Sequence, residues 1–150
     1  MSSSNWLEDK DLVNDFTTNI NQRTEELFRI PDMELDSDGC FVAPVVVLRE
    51  NVIFPKMITP VFVGQQKNLE SLRYGLENEQ TVITLIPKDP EKEFPVKKSD
   101  FYPVGLEIAV GRLVNLPEEH FSTLVQGRRR VILMDIVRRS PVLMARVYVS

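Results

Sequence analysis

One cysteine, one histidine and one tryptophan occur among the 150 residues, and each scarcity removes a class of chemistry. The single thiol, Cys40, has no partner for an intramolecular disulfide, and Cys40 with His120 falls short of the four ligands of a tetrahedral zinc site. Both side chains are expected to be structural or incidental. Long apolar runs are also lacking: charge or proline interrupts each one well before the roughly 20 residues that a membrane-spanning helix requires. Residues 1–11 have neither the basic start nor the apolar centre of a secretory signal. A cytoplasmic chain that does not enter a membrane is expected.

What is present divides in two. Residues 1–39 carry ten acidic and three basic side chains, net −7, whereas residues 40–150 carry twelve acidic and fifteen basic, net +3. With 43% hydrophobic residues the chain can bury one modest core, so the asymmetry predicts one domain with an acidic appendage. In the appendage, Trp6, Val13, Phe16, Ile20 and Leu27 recur at helical spacing, and Pro31 ends the pattern. The spacing predicts an amphipathic helical extension over 1–31. Its stripe is thin, and an isolated helix needs a surface to dock on. The acidic, turn-forming stretch that follows is expected to be a linker over 32–41.

From Cys40 onward the period changes to two, with short valine- and isoleucine-rich runs broken by glycine and proline. The pattern predicts strands at 42–49, 58–63, 82–87, 102–115, 121–126, 130–138 and 142–149. One helix is predicted at 66–78, where Leu69, Leu72 and Leu76 share a face. The expected fold is mainly β (α+β), a small antiparallel barrel or sandwich with one capping helix.

Several catalytic or binding chemistries find little support. The run Arg128-Arg129-Arg130 invites a phosphate-binding reading, yet strand alternation is expected to place Arg129 opposite its two neighbours and split the patch. Glu25-Glu26 and Glu118-Glu119 fall in an expected exposed helix and turn, where solvation of the carboxylates is expected rather than acid/base chemistry. No motif surrounds a serine that could join His120 in a triad. After Gly64, the sequence Gln65-Gln66-Lys67 lacks a phosphate-cradling pattern. Gly64 itself is expected to supply a backbone conformation that other residues resist.

The stretch 44–64, PVVVLRENVIFPKMITPVFVG, resembles the opening motif of the LON domain, the amino-terminal domain of ATP-dependent Lon proteases. Leu48, Arg49, Glu50, Val52, Phe54, Pro55, Met57, Pro60, Val63 and Gly64 stand at the family's spacing. A leucine-rich helix, the Val104-Gly105 pair, the Leu116-Pro117 hairpin and then Val125, Gly127 and Arg130 follow in the family's order. The resemblance covers about 42–150 and does not reach the acidic extension. Departures also occur. Val47 replaces a usual proline, Gln65-Gln66 a charged pair, and Glu118-Glu119-His120 an Asp-Gly-Thr turn, which removes the residue best suited to positive φ.

The resemblance implies a substrate-recognition domain of an ATP-dependent serine protease, binding exposed apolar segments of unfolded or degradation-tagged proteins. It implies a homohexameric parent and a carboxyl-terminal boundary within the domain, since the helical connector, ATPase loop and serine-lysine protease motifs do not occur here. ATP and magnesium belong to those further domains; no cofactor or metal is expected in this chain, nor any catalytic residue or nucleic acid. Pro55 and Pro60 remove backbone donors, so 54–60 is expected to bend and to project. Phe54, Pro55, Met57 and Ile58 of this segment, and Leu116 and Pro117 of the hairpin that the resemblance marks, are the candidate substrate-binding residues, with a return of Phe54 and Ile58 into the core as the competing expectation. Methionine suits a surface that accepts varied sequences. Arg49 is expected to meet an acidic neighbour or loop carbonyls. Two other roles stay open: a subunit-assembly module of the same protease, and a stand-alone LON-domain adaptor.

Overall fold

A computed structural model describes residues 21–49 and 52–150. Seven strands and one long helix make up the β-rich part: β1 (Cys40–Val47), β2 (Ile58–Val63), α2 (Gln66–Glu77), β3 (Val82–Leu85), β4 (Val104–Val110), β5 (Val114–Asn115), β6 (Phe121–Arg138) and β7 (Met144–Val149). A short helix, α1, precedes them over 21–28. The part of the expected extension before residue 21 lies outside the described residues.

The expected mainly β architecture is observed, and it is sandwich-like rather than a closed barrel. The strands run in the order β2-β6-β4-β3-β1-β7, with β5 beside the start of β6 and a further pairing between β6 and β7. Only β1 and β3 are parallel, joined through β2 and α2. β6 links the two halves: its beginning pairs with β2, and its end pairs with β7. Period-two alternation sends successive side chains to opposite faces, giving two apolar clusters. Ala43, Val45, Ile83, Leu85 and Val147 enter one; Val46, Val82, Ile108 and Val125 enter the other. Leu69 and Leu72 of α2 cover the second cluster, with Leu76 packed at its margin. The Asn68 amide docks the helix further by accepting from the Val47 N–H at 2.8 Å and donating to the Val47 carbonyl at 2.9 Å. One side chain thus satisfies both polar groups of a residue at the end of β1, where an unpaired backbone group would cost free energy.

Two expected boundaries differ. The segment 102–115 divides into β4 and β5: Gly111 still donates to the Leu124 carbonyl, but residues 111–113 are not in regular strand, and β5 then pairs with the start of β6. Conversely, 121–126 and 130–138 are one strand, β6, carrying a bulge where a break was expected. Ile108 pairs with Gly127 and Leu106 with Arg130, so Arg128 and Arg129 both lie opposite Glu107. The bulge overrides the alternation that predicts a split arginine patch.

Both arginines instead hold the acidic segment. Glu107 is fully buried. Its carboxylate accepts from Arg129 Nε at 2.7 Å, the Thr81 hydroxyl at 2.6 Å and the Met33 N–H at 2.9 Å. Arg129 also donates to the Met33 carbonyl, while Arg128 donates to the Leu27 carbonyl and to Asp32. Leu27 itself is buried against Ala109 and Leu124. Farther along, Asp36 accepts from Arg146 at 2.6 Å and from the Cys40 N–H. The Cys40 bond, then the Arg146 bond, hold the Asp36 carboxyl below its usual acidity range. The segment 27–38 is therefore tied to the sheet at Leu27, Asp32, Met33, Asp36 and Asp38.

A second carboxylate fixes the corner leading into β4. Asp100 accepts from Lys92 Nζ and from the Lys97 and Val96 N–H groups, which hold its pKa at about 2, below the usual 3.8. A depressed carboxylate contributes stability that is present above its unfolded pKa and is lost as pH falls through the folded value. The stability advantage of the native chain over Asp100→Asn is therefore expected to narrow between about pH 4 and pH 2. Urea midpoints of both proteins across that range check it; a constant difference would contradict it.

Candidate functional site

The proline-bracketed segment forms a tight turn and a bulge, which together position its side chains. Met57 N–H donates to the Phe54 carbonyl at 3.1 Å, closing a four-residue turn with Pro55 and Lys56 at its centre. Proline presets φ at the first central position, and Lys56 takes φ 69° at the second. Lys56 N–H then donates to the Gly127 carbonyl, and Gly127 N–H to the Met57 carbonyl, each at 2.8 Å. Two residues of this segment thus oppose one residue of β6, the geometry of a bulge with its first residue at positive φ.

This arrangement exposes the sequence-predicted residues instead of returning them to the core. Phe54 is 58% exposed, Met57 39% and Ile58 37%, with Pro55 also at the surface. Ile53 enters the second apolar cluster, so burial alternates and Phe54 faces outward. Val52 and Val104 border the same shallow cleft as Phe54 and Pro55. Leu116 and Pro117 are not beside them. Leu116 lines a different cleft, at the other end of β2, together with Val63, Gly64, Arg73 and His120.

Between those ends stands a residue that the sequence reading missed. Phe62, 68% exposed, is the most exposed of the large apolar side chains in the structure's described residues. The signal was available: alternation through ITPVFV buries Val61 and Val63 and leaves Ile58, Pro60 and Phe62 outward. The resulting surface runs from Phe54 through Met57, Ile58 and Pro60 to Phe62. No charged residue lies between Lys56 and Lys67.

Other expected roles take definite form. Arg49 meets loop carbonyls: its guanidinium donates to the Lys92 and Glu93 carbonyl oxygens at 2.6 and 3.1 Å and to Gln65 at 3.3 Å. Gly64, expected to supply a backbone conformation that other residues resist, does not have positive φ; Gly39 is the glycine with positive φ. A Cβ on Gly64 would instead press on the His120 ring. At the hairpin after β5, Glu118 and Glu119 do occupy positive φ, 64° and 61°. Replacement of Glu119 by glycine is therefore expected to raise stability by up to about 1 kcal/mol, because an L side chain resists that region. Thermal unfolding of Glu119→Gly measures it; a lowered midpoint would contradict the conformational explanation.

Among the described residues, no group of three or more histidine, cysteine, aspartate or glutamate side chains is placed to hold a metal. None of the described helices is long and apolar enough to cross a membrane. The features at hand are a β-rich scaffold and an outward apolar ridge along an edge strand, which is the form of a binding domain. Comparison places it more closely: a family model described as the ATP-dependent protease La (LON) substrate-binding domain matches residues 42–150. The chain belongs to that family, the amino-terminal domain of Lon proteases. It is 33% identical over 106 residues to the Lon protease of Anaeromyxobacter dehalogenans, covering 71% of this chain and 12% of that protein. It is 31% identical over 111 residues to the Lon protease of Aquifex aeolicus, covering 74% and 14%. The chain thus spans a small part of the relatives it matches. Its fold is similar to the crystal structure of a Lon N-terminal domain protein from Xanthomonas campestris, with TM-score 0.54, 15% identity, and coverage of 73% of this chain and 59% of that one.

Proposed function

We propose that this chain is the substrate-recognition domain of a cytoplasmic Lon-type protease, capturing exposed apolar segments of unfolded or degradation-tagged proteins. The observation that supports this most is the apolar ridge from Phe54 to Phe62, interrupted by charge only at Lys56 and held outward by a turn and bulge anchored to β6. Apolar groups fixed in water bind apolar segments by removing both surfaces from solvent. A folded protein hides such segments and an unfolded one offers many, so the ridge distinguishes the two states. Each contact is weak; six copies in a hexameric parent raise the effective concentration of sites and offset that weakness. Hydrolysis of ATP, with magnesium, and cleavage by a serine nucleophile belong to the rest of the protease chain.

Fluorescence anisotropy of a labelled protein, compared in its native and its permanently unfolded state, tests the reading. The chain is expected to bind the unfolded state alone and to hydrolyse neither ATP nor peptide. Equal binding of both states, or of neither, would contradict it.

A second reading rests on a different surface. Val104, Ile132 and Tyr148 stand in register across β4, β6 and β7, and all three are exposed. Such a row suits packing against the remainder of a Lon chain or a neighbouring subunit, which makes the domain an assembly module. Sedimentation velocity separates the readings: concentration-dependent association lost in Ile132→Lys supports assembly, and a monomer throughout opposes it.

A further inference from the structure

Among the described residues, the pairing pattern leaves one substantial strand edge without a second partner. β1 lies between β3 and β7, β3 between β1 and β4, β4 between β3 and β6, and β6 has neighbours on both sides. β7 pairs with β1 and β6. Among the described strands, only β2 and the two-residue β5 have a single partner, β6 in each case.

Which groups β2 turns outward follows from its register. Gly127 N–H donates to the Met57 carbonyl, and from there the ladder advances by two residues, so Thr59, Val61 and Val63 address β6. Ile58, Pro60 and Phe62 address the open side. Proline fits that assignment, because a residue without an N–H is tolerated in a strand where its nitrogen faces away from the ladder. The open edge therefore offers the N–H and C=O of Ile58, the N–H and C=O of Phe62, and the C=O of Pro60, which already accepts a long 3.4 Å bond from the Thr59 hydroxyl and keeps a second lone pair.

Exposed edges are commonly guarded by charge, proline, shortness or a covering element. Here Pro60 is the guard within the strand, and none of its six residues is charged. Space is present beside it as well. A cleft of about 310 Å³ lies between Val61–Gly64 and the end of β1, bounded by Val46, by Leu48 and Arg49 beyond the strand, and by Asn68 of α2.

We infer that the open edge of β2 takes up an extended polypeptide segment as an added strand. This rests on the proposed function and specifies how the polypeptide is held. The occupant's chemistry follows from the edge: an extended backbone to meet alternate N–H and C=O groups, and side chains that are uncharged where they meet Ile58, Pro60 and Phe62. Main-chain bonds supply affinity that is indifferent to sequence, and the apolar ridge supplies the preference for apolar residues. Phe62 contributes to both, through its N–H and its ring.

Peptides that differ only in backbone N-methylation test this against the full chain. The parent is a short peptide alternating valine and threonine between terminal lysines; one derivative is methylated at odd positions and the other at even positions. One derivative is expected to bind at least about tenfold more weakly than the parent and the other to match it, since only alternate amides face β2. On the protein, Phe62→Pro is expected to lose binding while Phe62→Val, which keeps the N–H, retains most of it. Circular dichroism verifies that both variants fold, and the peptide comparison needs neither. If both derivatives bind as the parent does, strand addition is wrong while recognition of apolar side chains stands. If neither the parent peptide nor an unfolded protein binds, the proposed function fails with it. Self-association that Phe62→Pro abolishes, without peptide binding, would assign the edge to a second copy of the chain and overturn the inference.

Discussion

Replacement of Arg129 by methionine is expected to lower the free energy of unfolding by about 3 kcal/mol, the low end of the range for breaking a buried ion pair, since Glu107 is fully buried and Arg129 only partly. Methionine approximates the length of the arginine stem but leaves the Glu107 carboxylate buried with only the Thr81 hydroxyl and the Met33 N–H as donors. The loss extends beyond the pair, because Arg129 also bonds the Met33 carbonyl. With that tie gone, residues 27–33 are held to the sheet by Arg128, by Leu27 and by the Met33 N–H bond to Glu107. Adding Glu107→Gln to Arg129→Met removes the buried charge, so the double variant is expected to recover much of the stability. Urea unfolding of the two single variants and the double variant measures the coupling between the sites. A loss below about 1 kcal/mol for Arg129→Met, or no recovery in the double variant, would show that the pair does not organise this region.

Gly127→Ala has the second large expected effect, about 2–4 kcal/mol, for a steric reason. The Cβ would overlap the Phe54 carbonyl oxygen and crowd the carbonyl carbon at 2.9 Å. Those are backbone atoms, so no rotamer change relieves the contact. Either β6 or the 54–57 turn must move, and both 2.8 Å bonds between Gly127 and the turn then weaken. The variant therefore links stability to function: the turn that carries Phe54 and Met57 loses its anchor. Binding of unfolded polypeptide is expected to fall more in Gly127→Ala than in Glu119→Gly, whose site lies at the hairpin beyond the far end of β2. Anisotropy titrations at a temperature where both variants are folded provide the comparison.

Much of this fold is legible in the sequence because its signals are local. α2 follows from Leu69, Leu72 and Leu76, and the inner strands follow from their runs of β-branched residues. The merger of two expected strands into β6 was not legible, because GRRR resembles a polar break. Its arginines are tolerated within a strand because Glu107 and the carbonyls of Leu27 and Met33 receive them, and those partners lie 22 to 101 residues away. The same distance hid the attachment of the acidic segment, which composition alone marks as a linker. At the site, Pro55 and Pro60 predict a bent, projecting segment over 54–60; the bend is confined to 54–57, and Ile58 to Pro60 lie in β2, paired with β6. The two prolines also draw attention from Phe62, whose exposure depends on β2 being an edge, a property of the whole sheet. Leu116 and Pro117 belong to the same motif series, but β2 separates them from the Phe54 turn.

The central claim is that the surface from Phe54 to Phe62 is where this domain meets unfolded polypeptide. Amide NMR of the isotopically labelled full chain, titrated with an unfolded protein, tests it most directly. The expected result is a set of saturable shifts concentrated at 54–63 and in the neighbouring residues of β6. Shifts confined to the row through Val104, Ile132 and Tyr148, or none at saturating concentration, would contradict the account.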